Sequence, residues 1–133
     1  MKIAEHSRNR FYETLNKWDV PREYADRMFE YFVLGLQPGS FYTALLSNDF
    51  ALAMRHSHPA NSIQGLKALA GWLQSTMLTG IAWGDHNVVK TWLAMLDSHR
   101  RQMLEEFKLI YTEQEEIMLI LKNEPTREPF FYN

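Results

Sequence analysis

The side chains able to do chemistry are few and poorly spaced for it. His56 and His58, with Asp49 or His86, offer imidazole and carboxylate groups of the kind zinc and manganese accept. A His-x-His pair does not share a helix face, however, and no His-Glu-x-x-His spacing accompanies it, so solvated helix ends are expected, with no metal or other cofactor. Ser40 follows Gly39, but an acyl-transfer serine sits on a Gly-x-Ser-x-Gly elbow, whereas Pro38-Gly39-Ser40-Phe41 reads as a helix start. Glu113, Glu115 and Glu116 lack a histidine three residues on and read as a solvated face. The four tryptophans, without interleaved basic residues, read as core rather than a base-stacking platform. With no Gly-rich phosphate loop and no redox dithiol, no enzymatic activity is expected and no catalytic residue is assigned.

A pocket that binds rather than reacts is the alternative. Ser40, Tyr42, Asn48, His56, His58, Asn61 and Trp83 could line one near the 37–61 corner and hold a small ligand such as a nucleotide signal.

Composition bounds these readings. With 133 residues, 46% of them hydrophobic, the chain can bury a core without staples, and the lack of cysteine excludes disulfides and thiolate metal sites. A formal charge of -2 provides no field for a polyanion, so nucleic acid would need a local patch; His99-Arg100-Arg101, the densest basic run, is followed by Glu105-Glu106. No window approaches the ~18 apolar residues of a membrane span, and the N-terminus lacks a signal-peptide core. The expected setting is the cytoplasm.

The elements that must position these residues read as all-α: a single domain, 1–133, built as a compact bundle of short helices with one long C-terminal helix. Period-two stretches are absent. A first helix is expected within 1–18, with Ile3, Ser7, Phe11, Leu15 and Trp18 on one stripe. Asp19 then caps a second helix, Ser40 a short third one, Asp49 a fourth, and Ser57-His58-Pro59 opens a fifth. Gly65 and Gly71 mark close approach of a neighbour, and Gly80 and Gly84 bracket a loop anchored by Trp83. Asp85 caps the last helix, which is expected to run unbroken over about 85–123, on the order of 55 Å. Its apolar residues alternate spacings of four and three in the manner of a coiled-coil seam. Met103, Leu104, Phe107, Ile110, Tyr111, Gln114, Ile117, Met118 and Leu121 are therefore expected at a homodimer or partner interface. Residues 124–133 read as a stiff extended tail ending in Phe130-Phe131-Tyr132.

Val20-Pro21-Arg22-Glu23-Tyr24, Tyr31-Phe32 with Gly35, Pro38-Gly39-Ser40-Phe41, Leu46-Ser47-Asn48-Asp49-Phe50, Asn61, Trp83-Gly84 and Val88 to Trp92-Leu93 form a pattern. It resembles a family of small phage and prophage proteins of unknown function that carry a Pro-Pro-Gly-Ser-Phe-Leu run, an Asn-Asp-Leu step and a late Trp-Gly-Ser turn. The resemblance covers residues 20–96. Gln37 replaces the first proline, Asp85 the serine after Trp83-Gly84, and Ser57-His58-Pro59-Ala60 an Ala-Asp pair. The extension 97–123 lies outside it. The resemblance implies a phage-encoded accessory protein in the host cytoplasm. Together with the surplus apolar surface, it leads to the expectation of protein–protein binding directed at a host defence or replication component.

Overall fold

Helix α1 (Glu5–Asn16) is the strut on which the helices Arg22–Phe32, Ile63–Ser75 and Glu113–Asn123 and the two short strands lean, because Ser7, Phe11, Tyr12 and Leu15 put one buried stripe along its length. In the computed structural model, residues 1–57, 63–123 and 131–132 are described. Around α1 stand α2 (Arg22–Phe32), α3 (Ser40–Leu46), α4 (Phe50–His56), α5 (Ile63–Ser75), α6 (His86–Ala94), α7 (Asp97–Glu106) and α8 (Glu113–Asn123). The fold is all-α. One small addition is a two-residue antiparallel pairing of β1 (Ile3–Ala4) with β2 (Phe131–Tyr132), which makes Ile3 a strand residue rather than the first turn of α1. No helix among the described residues is long and apolar enough to cross a membrane.

Aromatic rings fill the centre. Phe11 meets Phe29 and Trp72 edge-on at 5.7 Å each, and Phe32 meets Trp72 edge-on at 5.3 Å. Such pairs add about 0.5–1.5 kcal/mol each beyond the area they bury. The buried indoles are also satisfied: Trp72 donates to Thr14 Oγ1 at 3.0 Å and Trp92 to the Tyr31 carbonyl at 3.2 Å. Gly71 lacks a side chain because Trp18 lies on it; a Cβ there would stand 2.8 Å from two ring carbons.

The expected 85–123 helix is three helices, and each break has a cause. At Met95 and Leu96 the backbone turns extended (ψ 147° and 146°). Arg100, part of the densest basic run, is 4% exposed and donates to the carbonyls of Trp92 and Met95, closing the end of α6 from the following helix. Its guanidinium occupies the space a Cβ of Gly35 would need. The second break is a Schellman motif without glycine: Lys108 adopts φ 63°, its amide reaches the Glu105 carbonyl, and the Leu109 amide reaches the Leu104 carbonyl. Thr112 then starts α8 through a reciprocal capping box with Glu115, at 3.0 and 3.1 Å.

Two caps also differ from expectation. Asp19 does not start α2; at φ 57° it ends α1, with Val20 donating to the Leu15 carbonyl, and Pro21 precedes α2 with no side-chain cap. Ser40 is the first residue of α3 rather than its cap, a place taken by Gly39 without a side-chain hydrogen bond. Asp85 accepts from the Val88 amide at 2.8 Å and Asp49 from the Leu52 amide at 3.2 Å. Of the Ser57-His58-Pro59 helix start only Ser57 is described, extended at the end of α4, and residues 124–130 and 133 of the tail fall outside the described residues.

Candidate functional site

Two residues create the site. Asn48 takes φ 58°, so the Asp49 amide can close α3 on the Ala44 carbonyl, and the Asp49 carboxylate immediately opens α4. The chain therefore folds back within one residue, and α4 lies against α3 over a small apolar cluster of Phe41, Ala44 and Ala53. Only Ala53 of α4 is buried. The His86 imidazole lies 3.0 Å from Asp49 Oδ2, linking the corner to the start of α6. The hydrogen bonds from His86 and from the Leu52 amide hold the Asp49 carboxyl below the usual carboxylate range.

Between α3, α4 and α5 this leaves a groove of about 550 Å³. Phe41, Leu45, Ala53, Leu66 and Ala70 form its walls and floor, Phe50, Met54 and Ile63 its lips, and Asn48, Asp49 and Lys67 its polar edge. The lips are open: Phe50 is 77% exposed, Met54 44% and Ile63 84%. A second depression of about 760 Å³, beside Trp18 and Pro21, shares Lys67 and Ala70 with the first, so α5 is a low ridge with a hollow on each side.

Of the expected pocket residues that are described, only Asn48 lines the groove. Ser40 and His56 are exposed. Tyr42 turns to Tyr24, 6.1 Å between ring centres, and burial with the nearby Glu23 pushes its hydroxyl up to about 12. Trp83 is buried in the main core, its indole N–H without a hydrogen-bond partner among the described residues. His58 and Asn61 lie outside the described residues. Sequence reasoning passed over Phe50 and Met54; the available signal was their i,i+4 spacing directly after a helix cap.

The expected interface residues do not form one seam, because α7 and α8 are separate. Leu104 and Ile110 are buried core, and Met103 and Phe107 pack partly against it. Tyr111 lies under the Arg10 guanidinium, 4.5 Å away. Gln114, Ile117, Met118 and Leu121 are exposed on α8.

Below α8 lies a buried ion network. Arg101 donates to Glu116 and Glu105 at 2.7 Å each and to the carbonyls of Lys2 and Tyr111 at 3.2 Å each; Glu116 also accepts the Ala4 amide at 3.0 Å. Besides Glu105 on its own helix, and Glu113 at 3.6 Å, Arg101 reaches the N-terminal segment, the turn before α8 and α8 itself, so the cluster ties these parts to α7. Among the described residues no three His, Asp or Glu side chains converge as a metal site. Comparison with protein-family models, curated proteins and solved structures gave no match.

Proposed function

We propose that this is a non-enzymatic, phage-encoded accessory protein of the host cytoplasm that acts by binding a protein, a component of host defence or replication. The partner segment is the apolar face of an amphipathic helix laid into the α3–α4–α5 groove. The observation that carries the reading is the apolar groove whose lips, Phe50 and Met54, stand open to water with no role in the core. Helix-in-groove recognition uses such an apolar channel with charge only at its edge. Covering each lip side chain contributes about 1.5–3 kcal/mol. The phage assignment rests on the resemblance of residues 20–96.

The groove volume, about 550 Å³, also suits a small molecule, whose pockets span roughly 300–1,000 Å³. Asn48 and Lys67 are its main hydrogen-bond donors, a sparse set for a nucleotide's phosphates. The two readings separate experimentally. Affinity capture from host lysate with wild type, Phe50→Asp/Met54→Asp and a Met77→Asp control should recover one partner with wild type and control and lose it with the groove variant. A thermal shift with a nucleotide panel should show none of the ~2.7 kcal/mol expected from a ligand at a hundred times its dissociation constant. Equal recovery by the groove variant would refute the protein-binding reading.

A further inference from the structure

Helix α8 is apolar on both faces. A surface helix turns its apolar stripe inward; here Leu119 and Ile120 lie half-buried beside Glu116, which is 3% exposed, yet Ile117, Met118 and Leu121 are 55%, 62% and 58% exposed. With Gln114 they fall at i, i+3, i+4 and i+7, one continuous outward stripe. Isolated exposed apolar residues need no explanation, but a contiguous stripe marks a contact surface.

The charges beside the stripe say what covers it. Glu115 and Lys122, seven residues apart, lie on the same flank. We propose that α8 packs antiparallel against α8 of a second copy, across a two-fold axis near Met118. Antiparallel pairing brings like flanks together in opposite directions, so Glu115 of each copy meets Lys122 of the other, twice. A parallel pair would turn the Glu115/Lys122 flanks of the two copies to opposite sides, so these charges would not meet. Opposed helix dipoles favour the same arrangement. The stripe offers on the order of 300 Å² per copy against the ~800 Å² of a standard interface, so the dimer is weak and concentration-dependent. It is also separate from the groove: α8 is tied to α1 at Ser7 through Tyr111, whereas α5 is tied to it at Thr14 through Trp72.

Sedimentation equilibrium of the full chain from micromolar to millimolar concentration tests this. Wild type and a Met77→Glu control should rise from monomer towards dimer mass, and Met118→Glu, which places two carboxylates at the axis, should stay monomeric. Lys122→Glu or Glu115→Lys alone should weaken the dimer about tenfold, by setting like charges together twice. An equimolar mixture of the two should recover it as a heterodimer, since both opposite-charge pairs return. Glu115→Lys also removes the Thr112 capping contact, so circular dichroism checks its fold; Met118→Glu and Lys122→Glu leave that cap intact. A wild type monomeric throughout, a Met118→Glu variant as dimeric as wild type, or a mixture no tighter than its components would overturn the proposal.

Discussion

Replacing Glu116 by alanine should cost about 3 kcal/mol of stability. Glu116 and Arg101 are 3% and 8% exposed, and removing one member of a buried ion pair typically costs about 3–5 kcal/mol. Arg101 keeps Glu105 and two carbonyls, which places the cost at the low end. The Ala4 amide simultaneously loses its acceptor, a loss of about 1–3 kcal/mol if it stays dry. The neighbouring cavity of about 450 Å³ admits water and relieves part of it. For 133 residues, 3 kcal/mol corresponds to a melting temperature lower by about 10 °C. Urea unfolding gives the free energy, and hydrogen exchange should show the Ala4 amide exposed well below global unfolding. Glu116→Gln keeps an oxygen for that amide and should cost less. Arg101→Met alone should cost as much as Glu116→Ala, yet Arg101→Met/Glu116→Leu should cost far less than the two single losses added together, because no charge is then buried alone. A loss under 1 kcal/mol for Glu116→Ala, or strict additivity in the double variant, would refute the reasoning.

Gly35→Ala should destabilise by about 3 kcal/mol or more in urea unfolding, since φ is 67° and the new Cβ would stand 2.5 Å from Arg100 Cζ, dislodging the group that closes α6. Asp85→Ala should cost about 1 kcal/mol and Ser40→Ala almost nothing, because Asp85 caps its helix and Ser40 does not. Tyr12→Phe should change the acid limb of stability. Burial raises the Asp26 carboxyl, but hydrogen bonds from Tyr12 and Arg22 outweigh it and hold the carboxyl below its ordinary range. A depressed folded value adds stability above the unfolded carboxylate range and loses it as pH falls through the folded value. The gap between wild type and Tyr12→Phe should therefore be widest near neutrality and close in acid; a gap independent of pH would contradict it.

The helices around α1 were legible because their buried residues recur with helical period: Phe11 and Leu15 on α1, Met28 and Phe32 on α2, Leu69 and Leu73 on α5. The breaks in the C-terminal third were not, since the usual punctuation is missing. Lys108 takes a left-handed conformation that glycine normally signals, and Arg100, four and three residues from apolar neighbours, imitates a seam while closing the end of α6. One sign was readable: Thr112-x-x-Glu115 is a capping-box spacing in the middle of the supposed helix. Asp19 and Ser40 are good N-cap types, yet composition alone does not tell the residue ending one helix from the residue starting the next. At the candidate site, the Asn48-Asp49 corner was visible in the sequence, but the open face of α4 was not. Which side of a seven-residue helix meets α5 is decided by tertiary packing, not by its own pattern.

The claim that the α3–α4–α5 groove takes a protein partner is tested most directly by photo-crosslinking in cells, with a benzophenone side chain placed at Phe50 and, in a separate variant, at Met77. Both positions are exposed, at 77% and 71%. The groove account predicts a discrete adduct at Phe50 that is absent at Met77 and disappears when Met54→Asp is added. The same background of adducts at both positions, or a Phe50 adduct insensitive to Met54→Asp, would contradict it.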